Sequence, residues 1–550
     1  DFNFYYGDAV NEIETEVALK LKLLQPAINE VAYLSANGTV NQHIFNVSAE
    51  VDFLTDVTLQ NIVDQGVNLK LNVDALGTEL VIDGVIEHPV SAEGMSIAVS
   101  IKAEDLDKTF MSATGQSLYR YLPESKKKLP LSFSANLVDV DRGYKFNTIK
   151  LELADTDIAG DLSYVNQPER PAFTAKLHSN NVNLDRFVAK LPGKAEQSNN
   201  KKQPIKNKDV AIDLPDSALP FELLKSLDAV VEYSIDQFHY YQFEPKAIKL
   251  NASLDAGHLQ IKQLDLKLDG APIQSSLMVD SGGKSPRINT KLNVDKLQLG
   301  RVLQTFDIDQ FKSGLLKTRI NLKSQGNSIK SLLLGLDGNA YVELDDGRVE
   351  FQVEEKLHLA DINHFNLNFT GIKKPLEFDM DGSVGDEPLL MSGKLDSPIA
   401  IIDNKTLRLK LELDALKINL ETEGSITNPI NLESAELDLS LELPEPTESI
   451  LKISNIVSAV KPNKNIPDVP VNIRGFLKVT PTDIRFEQMK LNAGKSDLSG
   501  NVYTDLSGEK PYIEAKLESK LIDLNELVPA TIRKDDEERL EQDIDKDKDK

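Results

Sequence analysis

Glu436-Leu437-Asp438-Leu439-Ser440-Leu441-Glu442-Leu443 alternates polar and apolar residues without a break. Successive side chains of a strand point to opposite faces, so this octet has one leucine face and one charged face. The same pattern returns at Leu407, Leu409, Leu411, Leu413 and at Val17, Leu19, Leu21, Leu23. It recurs at Val67, Leu69, Leu71, Val73, at Ile149, Leu151, Leu153 and at Leu264, Leu266, Leu268. Asn37-Gly38, Asp83-Gly84, Asp269-Gly270, Asp337-Gly338 and Asp346-Gly347 read as hairpin turns between such strands. The expected fold is mainly β: a long antiparallel sheet with short interspersed helices.

Helical spacing is confined to brief stretches. Residues 217–227 and 449–460 carry apolar residues three and four apart, and 184–191, 297–306 and 523–529 are shorter candidates. Residues 194–208 are polar apart from Ala195 and Ile205 and read as a linker. The chain finishes in alternating acid and base, read as a solvated tail.

The 550 residues include 62 basic and 87 acidic side chains, and 62 − 87 gives −25. A nucleic-acid partner is excluded by that balance, because neutralising phosphates takes a surplus of Lys and Arg. There is no Cys, hence no disulfide framework, thiolate zinc site or thiol nucleophile. No stretch approaches the roughly 18–20 apolar residues of a membrane-spanning helix. Apolar residues make up 40%, yet the mean hydropathy is −0.29. Apolar content spread thinly in alternation suits half-buried strands better than one deep core.

Three segments repeat one unit. Asp157-Ile-Ala-Gly-Asp-Leu162 precedes Pro171-Ala-Phe-Thr-Ala-Lys-Leu177; Gly270 to Leu277 precedes Pro286 to Leu292; Ser496-Asp-Leu-Ser-Gly500 precedes Pro511-Tyr-Ile-Glu-Ala-Lys-Leu517. Each reads as a hairpin whose second strand starts at Pro, where a missing N–H need not break the ladder. Two further segments carry a resemblance. They are Leu219-Pro220-Phe-Glu-Leu-Leu224 with Asp269-Gly270, and Gln325-Gly326-Asn-Ser-Ile-Lys-Ser-Leu-Leu-Leu-Gly-Leu336 with Asp345-Asp-Gly347-Arg-Val. They resemble the AsmA family, best over residues 130–350.

What that resemblance implies is an elongated, curved antiparallel sheet forming a repeating β-groove. The division it suggests is groove repeats in 1–193, a polar linker in 194–216, an AsmA-like segment in 217–350, further repeats in 351–530 and a charged tail in 531–550. It further implies a periplasmic protein held at the inner membrane by a helix preceding Asp1, with phospholipids and outer-membrane or envelope proteins as partners. The implied role is non-enzymatic: phospholipid traffic between inner and outer membranes and support of outer-membrane assembly. The alternative is a scaffold or regulator of outer-membrane protein assembly that moves no lipid. The groove-lining candidates are Leu19, Leu21, Leu69, Leu71, Leu151, Leu153, Leu264, Leu266, Leu268, Leu409, Leu411, Leu437, Leu439 and Leu441.

Strand arithmetic bears on the groove. About 450 residues at roughly 12 per strand and turn give about 35–40 strands, or about 170–190 Å of sheet at the usual inter-strand spacing. Ordinary sheets seldom exceed about ten strands, so such a chain either splits into sandwiches or continues as a groove. Taken alone, the leucines fit a packed core as well as a groove lining.

No catalytic residue, metal site or cofactor is expected. None of the seven His has a partner at helical ligand spacing, though His358 and His364 could share a strand face. Gly283-Lys284-Ser285 lacks the preceding glycine of a phosphate loop and reads as a turn. Asp155-Thr-Asp157 and Asp379-Met-Asp381-Gly382 lack the remaining calcium ligands and read as turns too. The aromatic run Phe238 to Phe243 reads as packing.

Overall fold

The computed structural model describes residues 2–8, 13–23, 31–40, 43–53, 66–120, 122, 128–188, 214–305, 308–353, 356–456, 468–508 and 510–527. Two compact units emerge, Asp1–Gly193 with Pro220–Ile288, and Lys194–Leu219 with Asn289–Lys550.

The first unit runs β1 (Phe2–Asp8), β2 (Ile13–Leu23), β3 (Val31–Val40), β4 (His43–Phe53), β5 (Val67–Ala75), β6 (Thr78–His88), β7 (Glu93–Ala103), α1 (Leu106–Thr114), β8 (Leu131–Val140), β9 (Gly143–Leu153), β10 (Thr156–Asn166), β11 (Pro171–Asn183), β12 (Asp228–His239), β13 (Lys246–Asp255), β14 (His258–Leu268) and β15 (Ala271–Asp280). The second holds nearly all of β16 (Arg287–Gln298), then α2 (Leu299–Gln304), β17 (Phe311–Gln325), α3 (Ile329–Leu334), β18 (Asp337–Val353), β19 (Lys356–Gly371), β20 (Leu376–Val384), β21 (Glu387–Leu395), α4 (Ile399–Ile402), β22 (Leu407–Ala415), β23 (Ile418–Thr427), β24 (Ser434–Leu443), α5 (Pro446–Ile456), β25 (Val471–Val479), β26 (Asp483–Ala493), β27 (Ser496–Asp505), β28 (Tyr512–Glu518) and α6 (Leu524–Leu527). The mainly β class is therefore as expected. The described residues form twenty-eight strands, several of them longer than the spacing suggested: β18 has 17 residues and β19 has 16.

Within each unit, consecutive strands hydrogen-bond side by side in chain order, from β1 to β15 and from β17 to β28. One pair departs from the antiparallel expectation. β11 and β12 are parallel, with Ala172 opposite Asp228 and Asn183 opposite His239. Parallel neighbours need a long crossover, and residues 184–227 supply it. The polar stretch read as a linker therefore falls between two paired strands and does not interrupt their sheet. Arg170 fixes the register: its Nε donates to Asp228 Oδ1 at 3.0 Å, holding the starts of both strands together.

Four of the five dipeptides read as turns lie inside strands. Asn37-Gly38 is in β3, Asp83-Gly84 in β6, and Asp337-Gly338 and Asp346-Gly347 in β18; only Asp269-Gly270 turns a hairpin. Asp379 and Asp381 likewise sit in β20 and not in a turn, while Asp155 is in a turn and Asp157 in β10. The repeat prolines fall where expected: Pro171 opens β11, Pro286 precedes β16 and Pro511 precedes β28.

The helices are short. Residues 217–227 yield only a 3-10 turn at Phe221–Lys225. Helix 297–306 contracts to α2, 523–529 to α6, and 184–188 form a turn. α5 is anchored by Ser449, whose Oγ donates to the Lys417 carbonyl at 2.9 Å, and by Lys452, 2.6 Å from Glu387. Residues 457–460, most of 194–216 and the tail 531–550 lie outside the described residues.

Candidate functional site

Register decides which side chains share a face, because residues opposite one another on paired strands point the same way. In the second unit Leu409 stands opposite Gly424, which faces Leu437, which faces Leu477. Leu411, Thr422 and Leu439 form the next row, and Leu413, Leu420, Leu441 and Ile473 the one after. All five candidate leucines of this unit are thus brought onto one surface.

In the first unit the row Leu71, Ile82, Val99, Ala135 runs beside Ile101, Phe133, Leu151, Ile158. From Ile149 the pairing passes through Gly160, Leu177, Tyr233 and Leu250 to Leu264. Leu69, Leu71, Leu151, Leu153, Leu264, Leu266 and Leu268 accordingly share one face. The backbones of Leu19 and Leu21 pair with Ala36 and Leu34 in line with that face; their side chains lie outside the described residues.

These leucines do not form a sealed core. Of the twelve with described side chains only Leu268, at 6% exposed, is buried; the others are half-buried. On β22, Leu409, Leu411 and Leu413 are half-buried while Arg408, Lys410, Glu412 and Asp414 are exposed. A sandwich interior would seal such side chains. Here lateral neighbours shield them and leave an apolar surface open.

Glycines on the same face admit a close approach of neighbouring strands. A methyl built on Gly84 would stand 2.6 Å from Ile97 Cα, and one on Gly424 would stand 2.8 Å from Leu437 Cα. Both would run into the neighbouring backbone, so a side chain is not accommodated there without a shift. Gly160, Gly382 and Gly500 have the same relation to Leu177, Ile362 and Leu517. Two of the repeats now make sense: Gly160 opposite Leu177 and Gly500 opposite Leu517 are the shared geometry behind the recurring Ala-Lys-Leu.

The opposite face is polar and laterally paired. Lys394 meets Glu377 at 2.8 Å, Lys410 meets Glu412 at 2.5 Å and Arg348 meets Asp361 at 2.6 Å. Exposed pairs of this kind contribute at most about 1 kcal/mol each, and chiefly favour the correct register. A cavity of about 600 Å³ is lined by Ser392, Glu412, Glu421, Ser440 and Arg474 of this face together with Met391, Leu413 and Leu420.

The densest polar cluster joins Lys317, Glu343, Asp345, His364 and Asn366. Lys317 Nζ bonds both Glu343 and Asp345, 2.8 Å from the latter, and His364 Nδ1 is 2.7 Å from Asp345 Oδ1. The Lys317 ammonium, then His364, holds the Asp345 carboxyl below its ordinary range. Asp345 in turn raises His364 above the usual imidazole value. Glu343, Asp345 and His364 offer ligand atoms within 4.8 Å of one another. Lys317 already serves both carboxylates, so the arrangement is that of a neutralised ion-pair network. His358 belongs to the other face, stacked on Phe351 with ring centroids 5.6 Å apart. A register shift between Ile362 and His364 separates the two histidines that plain alternation would align.

One polar trio has the composition of a hydrolase site. His178 Nδ1 lies 2.9 Å from Ser234 Oγ, and its Nε2 lies 3.7 Å from Asp236. That second distance exceeds a hydrogen bond, so no carboxylate orients the imidazole as a base.

Alternation in the sequence finds the apolar rows but does not separate glycines inside strands from glycines in turns: Asp83-Gly84, read as a turn, lies within β6. Among the described residues, no helix is long and apolar enough to cross a membrane.

Comparison with known proteins places these features in a lineage. The AsmA family model matches residues 19–383, about two thirds of the chain. The chain is 21% identical over 224 residues to "Protein AsmA" of Escherichia coli (strain K12), covering 40% of this chain and 36% of that one. It is 20% identical over 289 residues to "AsmA family protein YhjG" of the same organism, covering 50% of this chain and 41% of the relative. The chain thus spans about two fifths of the length of these relatives. No solved structure matches. The family match ends at Ser383, while the pairing and the apolar face of the second unit continue through β28. On the match over residues 19–383, the chain belongs to the AsmA family.

Proposed function

We propose that this chain is a non-enzymatic protein of the Gram-negative envelope whose apolar sheet faces carry phospholipid acyl chains between the inner and outer membranes. The observation that carries the reading is the apolar face itself: half-buried and without a sealed core. Each methylene withdrawn from water is worth about 0.8 kcal/mol, so a chain of about 16 carbons would lose on the order of 12 kcal/mol if exposed. Rows of leucine remove that barrier while headgroups remain in water. No stereospecific pocket or reacting group is required. Family membership supports an envelope role tied to the outer membrane, as the sequence resemblance implies.

A photo-crosslinking side chain at Leu439 or at Asp438 separates apolar from polar face in one experiment. Phospholipid adducts at position 439 and none at 438 are expected. Equal labelling at both positions, or no labelling at either in growing cells, would remove the conduit and leave the scaffold reading.

A further inference from the structure

β28 differs from every other strand whose side chains are described: all seven of its residues are exposed. Ile513 is 64% and Leu517 43% exposed, against half-buried apolar residues on the same face of β27. One edge of β28 pairs with β27 through Asp505–Tyr512 to Ser499–Glu518. Its other edge has no strand beside it among the described residues. The apolar rows run to this edge through Leu498 and Val502, then Leu517 and Ala515. The strand has no bulge and no internal proline, and its charges, Glu514, Lys516 and Glu518, are of both signs and all on one side.

Residues 528–550 are a poor occupant for it. Val528-Pro529-Ala-Thr-Ile-Arg533 is short and interrupted by proline, and residues 534–550 are nearly all charged. A second copy fits better. Antiparallel pairing centred on Ala515 sets Glu514 opposite Lys516 twice, Ile513 opposite Leu517 twice and Ala515 opposite Ala515. Glu514 and Lys516 lie on one side of the strand, 3.7 Å apart, and are exposed for such pairing. A two-fold axis through Ala515 makes this contact isologous. It leaves the apolar faces of both copies on the same side.

We propose that β28 is a homodimer interface, pairing antiparallel with β28 of a second copy in the register centred on Ala515. This rests on the sequence and edge geometry, not on lipid carriage, and stands or falls separately from it.

The absence of cysteine makes the register directly testable. Directly opposite Cα atoms in an antiparallel pair lie about 4.5–5.5 Å apart, within disulfide range. Full-length Ala515→Cys should form a covalent dimer on mild oxidation, whereas Ile513→Cys alone, about 14 Å from its symmetry mate along the strand, should not. Mixing Ile513→Cys with Leu517→Cys should restore crosslinking. By sedimentation, Lys516→Glu should weaken the dimer about tenfold by placing like charges opposite one another, and Glu514→Lys with Lys516→Glu should restore it. A monomer throughout the micromolar range would overturn the proposal. So would equal crosslinking at 513 and 515, or a double variant no better than the single. Association only with a different protein's strand would overturn it too.

Discussion

Gly424 offers the sharpest test of how closely neighbouring strands approach on the apolar face. Its backbone is not in the left-handed region, so alanine meets no conformational penalty there and should gain from the loss of glycine's flexibility in the unfolded chain. On propensity alone, Gly424→Ala would stabilise by about 0.5–1 kcal/mol. The structure argues the opposite. The added methyl would stand 2.8 Å from Leu437 Cα and nearer still to the Glu436 carbonyl. Carbon atoms settle at about 3.5–4.0 Å, so β24 must retreat by about 0.7 Å or more, along backbone that is hydrogen-bonded on both sides. Crowding of this kind costs about 1–3 kcal/mol. Because a chain of two units need not unfold in one step, the effect is best read locally. Hydrogen exchange of amides in 418–427 and 434–443 should accelerate about 5- to 150-fold, with remote strands unchanged. Gly77→Ala is the control, since no atom lies within 4 Å of its hypothetical methyl and only its positive φ is strained. Unchanged or slower exchange in Gly424→Ala would refute the claim that β24 approaches too closely at Gly424 for any side chain.

Two predictions concern pH. His364 is raised by its bond to Asp345, so the protonated form is favoured in the folded state. Its contribution is present in full below the unfolded value near 6.5 and is lost as pH rises through the raised one. Replacing His364 by Gln should therefore lower the melting temperature more at pH 5.5 than at pH 8.5, and an equal loss at both would count against the pairing. Asp337 is depressed to about 2 by Lys374 and then Lys323, at 2.8 and 3.2 Å. What it contributes is present above the ordinary carboxylate value and lost as pH falls through about 2. NMR titration should show Lys374→Met returning Asp337 toward the ordinary range; an unmoved midpoint would show that Lys374 is not the cause.

Alternation alone is enough to specify strands and to say which residues share a face, because side chains in an extended chain have no other choice. Hence Leu437, Leu439 and Leu441 group together by their spacing, and the register then joins them to Leu409 and Leu411. Sequence could not say which glycines turn the chain and which lie within a strand. Asp83-Gly84 and Asp269-Gly270 are the same dipeptide, yet one faces Ile97 within a strand and the other turns a hairpin. The difference lies in a neighbouring strand remote in the chain. Nor could spacing foresee that β11 and β12 run parallel across 44 intervening residues, or that one extra residue near Ile362 turns His364 away from His358. Both depend on hydrogen-bond partners that only the assembled sheet supplies. Composition and alternation made an apolar face inevitable; tertiary pairing joined its rows from strand to strand and left them open.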